Sequence, residues 1–133
     1  MQKNLQKIIT IAKNEWINDY NMQLTTIEDM YYSDIIIQHI KNSCDNNPIV
    51  AYIIEEATTE WEDDFNMQLN EIIEKLSAKK DLQQFIKYPL PNDILSSIIK
   101  NAKKEWRNDT DMINSTINDE VMAYLKIEKY LAI

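Results

Sequence analysis

Three stretches of this chain, residues 8–27, 53–72 and 98–117, align without a gap, each 45 residues after the one before. They read IITIAKNEWINDYNMQLTTI, IIEEATTEWEDDFNMQLNEI and IIKNAKKEWRNDTDMINSTI. Two isoleucine columns open the match (Ile8/Ile53/Ile98 and Ile9/Ile54/Ile99) and one closes it (Ile27/Ile72/Ile117). Between them, five more columns are identical in all copies: Ala12/Ala57/Ala102, Glu15/Glu60/Glu105, Trp16/Trp61/Trp106, Asp19/Asp64/Asp109 and Met22/Met67/Met112. Every tryptophan of the chain falls in one column. Chance does not place residues in this way, and a tandem duplication does. Looser apolar columns (Leu5/Val50/Leu95, Tyr31/Leu76/Val121, Ile37/Leu82/Ile127, Ile40/Phe85/Tyr130) widen each unit to about residues 3–41, 48–86 and 93–131.

Within a unit the apolar residues recur at helical spacing, as in Leu5, Ile8, Ile9, Ala12 and Trp16. The chain has no glycine and three prolines, so little interrupts such segments. No period-two alternation runs long enough to suggest a strand. Asn46-Asn47-Pro48 supplies a capping Asn before a first-turn proline, and Pro91-Asn92-Asp93 offers a cap to the third unit. After each Trp comes a polar pair: Asn18-Asp19, Asp63-Asp64, Asn108-Asp109. Such residues compete for backbone groups inside a helix and serve well as N-caps. The spacing therefore predicts helical hairpins, with helices over about 3–17, 19–41, 48–62, 64–77, 93–107 and 109–131. The expected fold is all-α: three tandem hairpin units of about 45 residues in one domain spanning residues 1–133. The rival is a three-helix bundle with one unbroken helix per unit, because the stripe continues in phase through Asp109, Ile113, Ile117, Val121 and Tyr124. Lys79-Lys80-Asp81 is a possible interruption of the second unit, with a short turn at 82–87.

The repeated residues read first as architecture. Ala12, Ala57 and Ala102 precede each Trp by one turn, which suggests a Trp–Ala core layer formed three times; Met22, Met67 and Met112 fill gaps beside it. Glu15, Glu60 and Glu105 stand four residues before Asp19, Asp64 and Asp109. Like charges at that spacing repel on a continuous helix. Either the Asp caps the next helix with the Glu reaching back to the same N–H groups, or the six carboxylates converge on a divalent cation. Capping is the expected answer, since an active site rarely needs three equal copies. No metal site and no cofactor are expected.

Function classes narrow by exclusion. Without glycine there is no phosphate-cradling loop and no dinucleotide fingerprint. One Cys, Cys44, precludes an internal disulfide and reads as a loop bystander, while one His, His39, leaves no credible catalytic triad. The chain carries 14 Lys+Arg against 22 Asp+Glu, a net charge of -8, so DNA and anionic membranes are not expected partners. The apolar stretch Ile8–Ala12 is too short for a signal-peptide core or a membrane span, which suggests the cytoplasm. Charge concentrates in the middle third, and Glu55, Glu56, Glu62 and Asp63 stand out as a docking patch for a basic protein partner. The expectation is a small acidic cytosolic protein-binding module rather than an enzyme, compatible by size and charge with inhibitors of the immunity-protein or antitoxin type. A metal-binding protein or enzyme using the Glu/Asp columns, and a self-assembling structural repeat, are the alternatives.

Overall fold

Each unit breaks into two helices at the polar pair after its tryptophan. The computed structural model describes residues 2–44, 46–79, 81–82 and 86–132, without the side chains of Gln2 and Lys3. These residues form six α-helices and no strand: α1 (Gln2–Glu15), α2 (Tyr20–Ser43), α3 (Pro48–Glu60), α4 (Phe65–Ala78), α5 (Asn92–Trp106) and α6 (Thr110–Leu131). The unbroken-helix alternative is thereby excluded.

One local device makes all three breaks. The Trp carbonyl accepts the N–H of the Asp three residues on, at 3.1 Å for Asp19, 2.9 Å for Asp64 and 2.9 Å for Asp109. The Asp carboxylate then accepts the N–H of the repeated Met, at 3.1 Å for Met22, 3.1 Å for Met67 and 3.2 Å for Met112. That is N-cap geometry, and it satisfies an amide the helix start leaves unpaired. The caps of the two other helices differ. Asn47 Oδ1 accepts from the N–H groups of Ile49 and Val50 with Pro48 in the first turn, as expected. At α5 the cap position falls on Pro91, with no side-chain cap, so Asn92 and Asp93 lie inside the helix instead of before it.

Each first helix packs on its own second helix, and α2, α4 and α6 also touch one another. Ile36, Ile37 and Ile40 of α2, Leu69, Ile72, Ile73 and Leu76 of α4, and Ile117 and Val121 of α6 form the main core together with Val50, Ile53, Ile54 and Ala57 of α3. A smaller cluster joins Ile8, Met30 and Phe65. Two apolar columns do not keep one environment: Ile37 and Leu82 are buried where Ile127 is 56% exposed, and Ile40 is buried where Tyr130 is 61% exposed, while Phe85 of that last column lies outside the described residues.

The three hairpins do not all point the same way. Lys7 on α1 reaches Asp63 in the second turn at 2.7 Å, and Ser33 on α2 donates to Asn66 at the start of α4 at 2.6 Å. The turns at 16–19 and 61–64 therefore face the same way, the second lying against the middle of the first hairpin, and α2 and α4 run parallel. By contrast, Lys126 toward the end of α6 meets Asp29 in the first half of α2 at 2.7 Å, and the Tyr130 hydroxyl meets Glu28 at 3.4 Å. The start of α6 borders the end of α4, where Thr110 and Ser77 face one cleft. Helix α6 thus runs antiparallel to both, and the third turn sits at the opposite end.

The cause is the length of α4. It has 14 residues, against 24 in α2 and 22 in α6. The chain leaves the helix at Lys79, where the interruption was expected. Before α5, Tyr88 is anchored on α6: it is buried, and its hydroxyl donates to buried Asn118 at 2.9 Å. Burial pushes its phenol pKa upward.

Candidate functional site

The parallel first pair sets the second copy of the repeated turn against the flank of the first hairpin, just below Trp16. There opens a groove of about 480 Å³, lined by Trp16 and Trp61 and by the acidic residues Glu15, Glu60, Glu62, Asp63 and Asp64. Ile11, Thr26, Met30 and Asn66 complete the lining. Asp19, Met22 and Met67 are not among the lining residues, and the third copy's Glu105, Trp106, Asp109 and Met112 are held at the far end.

Both groove turns are braced in the same way, and the third differs. Gln23 and Gln68 each donate through Nε2 to the carbonyl of the preceding Trp, at 2.8 Å and 2.8 Å. The third copy has Ile113 in that column. There α5 continues through Trp106, and Arg107 takes a positive φ of 48°. In the first turn Asn18 absorbs the positive φ, at 62°, a conformation Asn tolerates better than most residues.

The repeated Ala residues are buried as expected, at 0%, 0% and 1% exposure for Ala12, Ala57 and Ala102. The tryptophans are only partly buried, which corrects the expectation of a closed Trp–Ala core layer. Their indole N–H groups also differ. Trp61 Nε1 donates to Glu71 Oε1 at 3.3 Å, whereas the buried Nε1 atoms of Trp16 and Trp106 have no partner. The column of Glu71 holds Thr26 and Thr116 in the other copies, so the longer acid reaches the indole only in the second.

Glu71 organises the acids of that second hairpin. Glu60 is held above its ordinary carboxyl value, first because its side chain shares a hydrogen bond with Glu71 and then because of the Glu71 charge. Lys75 stands 3.6 Å from Glu71 and bonds Glu56 directly. That bond, with a further one from Tyr52, holds Glu56 below the ordinary carboxyl range. The Glu columns do not share in capping: the hydrogen bonds at the three turns come from Asp19, Asp64 and Asp109. Nor do the six repeated acids converge, since the third pair sits at the other end. Among the described residues, no three His, Cys, Asp or Glu side chains are grouped so as to hold a metal ion.

The four acids singled out in the sequence fall on three surfaces. Glu62 and Asp63 flank the groove, and Asp63 holds Lys7, whose own pKa rises through that hydrogen bond. Glu56 is engaged by Lys75, while Glu55 faces a separate hollow near Lys41 and Thr58. Cys44 is buried at the end of α2, its thiol 2.6 Å from the Ile40 carbonyl, and so is no loop bystander. Sequence reasoning missed the groove itself, because its two walls come from copies 45 residues apart. Among the described residues, no helix is long and apolar enough to cross a membrane. No protein family, curated protein or solved structure matches the chain.

Proposed function

We propose that the chain is an acidic protein-binding module, built from three tandem copies of one helical hairpin, that takes a basic segment of a partner protein in the Trp16/Trp61 groove. The observation that supports this reading is the composition of the groove wall: two half-buried indoles and five carboxylates, with no cation among the lining residues. Indole faces attract Lys and Arg heads and carboxylates pair with them, so the two chemistries favour one class of guest. The chain's own Lys7 already pairs with Asp63 at the edge of the groove. Glu62 and Asp63 carry the electrostatic role in this proposal, and Glu55 and Glu56 do not. Inhibitors of the immunity-protein or antitoxin type are the functional class that the size and net charge suit.

Titration with a lysine-rich peptide, followed by tryptophan emission, tests it. Emission is expected to change saturably, to weaken with added salt, and to persist in Trp106→Phe. Glu62→Gln combined with Asp63→Asn is expected to weaken binding. An unchanged emission, or a change that survives joint Trp16→Phe and Trp61→Phe substitution, rejects the site.

A second reading, self-assembly, is favoured by one comparison. Phe65 and Leu69 of the second copy are buried at 7% and 1% exposure, whereas their counterparts in the first copy, Tyr20 and Leu24, are 73% and 56% exposed. The face by which the second hairpin packs is thus uncovered on the first. Light scattering across concentration separates the readings, with Tyr20→Ser and Leu24→Ser expected to abolish any association.

A further inference from the structure

The first copy holds a buried charge that the other copies lack. Asp34, in the middle of α2, is 1% exposed. Its column holds Lys79 and Tyr124 in the second and third copies, so its role is not that of the shared architecture. Opposite it on α1 stands Asn4, in a column that is otherwise Ile49 and Ile94. Two polar residues facing each other across one hairpin, where the repeat specifies otherwise, mark a local specialisation.

The carboxylate is poorly compensated. Asn4 Nδ2 lies 3.3 Å from both of its oxygens, and Gln38 Nε2 lies 3.3 Å from Oδ1. These are long contacts from neutral amides. Among the described residues no cationic side chain pairs with it. A buried carboxylate without a cation is costly. Asp34 also opens onto a cavity of about 480 Å³, to which Gln38, His39 and Asn42 add polar groups and Ile35 and Pro89 add apolar wall.

We infer that this cavity is a binding site for a guanidinium group, presented as arginine within a peptide or as a small free guanidinium compound. One carboxylate matches one monocation. Asn4 straddles the carboxylate edge that a guanidinium occupies with two parallel N–H···O bonds, and its contacts are long enough to be displaced. The side-chain carbonyls of Gln38 and Asn42 accept the remaining N–H groups, while Ile35 and Pro89 flank the methylenes. A single carboxylate among amides is a weak donor set for a divalent metal, and the volume far exceeds what an ion needs. The site is separate from the Trp16/Trp61 groove and does not depend on it.

Calorimetry and amide chemical shifts of the whole chain test the inference with three probes: Nα-acetyl-arginine methylamide, agmatine, and the citrulline analogue of the first, which keeps the shape and loses the charge. Saturable one-to-one binding of either guanidinium is expected, with shifts centred on residues 34–42. The stronger of the two identifies the source, peptide or free compound. The citrulline analogue is expected to bind at least about tenfold more weakly, and Asp34→Asn to lose a similar factor. Asn42→Ala, at an exposed position, is expected to weaken binding without unfolding the chain, and it carries the test if Asp34→Asn does not fold. Absence of saturation up to about 10 mM, equal binding of the citrulline analogue, or full affinity in Asp34→Asn overturns the site.

Discussion

Asp19, Asp64 and Asp109 perform one task in three places: each ends a helix–helix turn and opens the next helix. Replacing Asp64 with Ala is expected to cost about 1 kcal/mol in a urea melt, and replacing it with Asn only a small part of that, because Asn also accepts the cap hydrogen bond. Glu60 is the residue whose charge works against the fold. Its pKa is raised in the folded chain by the neighbouring Glu71, so its ionisation opposes folding at pH values above that raised pKa, and the opposition fades as the pH falls through it. Glu60→Gln is therefore expected to raise the melting temperature at pH 7. The advantage over wild type is expected to shrink as the pH approaches 4.5, the ordinary Glu value. Melting curves across that range check the sign. A constant advantage assigns the effect to something other than the Glu71 contact. Glu56 titrates oppositely: Lys75 and Tyr52 favour its charged form, so its contribution is present at neutral pH and lost on acidification.

Among the elements, the segment between α4 and α5 is the one that departs from the repeat. In the first copy the corresponding stretch remains helical as the second half of α2. In the second copy it leaves the helix at Lys79. Pro89 and Pro91 favour an extended path there. Tyr88 fixes its position through the bond to Asn118, buried at both ends. Tyr88→Phe leaves the Asn118 carbonyl buried without its donor. The expected loss is about 1–3 kcal/mol in a denaturant melt. A neutral result removes Tyr88 from the role of anchor.

At the scale of the whole molecule, the reversal of the third hairpin decides which repeated residues meet. A double variant, Asp29→Cys with Lys126→Cys, is expected to be bridged within one chain by a short thiol cross-linker, because those side chains touch. A third hairpin aligned with the others puts these positions at opposite ends, and no bridge then forms. The six helices, the breaks beside each tryptophan and the Asp caps are all legible along the chain, because each depends on contacts within a few residues of itself. The orientation of the hairpins is not. Equal spacing of 45 residues conceals that α4 stops ten residues short of the length of α2. The partial burial of the tryptophans, the pairing of Trp16 with Trp61 across a groove, the isolation of Trp106 and the enclosure of Asp34 all follow from that long-range packing. Periodicity and capping act within one or two turns of helix and so can be read from the sequence alone. Which faces meet depends on the path of a connector and on the burial available between hairpins, which only the assembled tertiary structure sets.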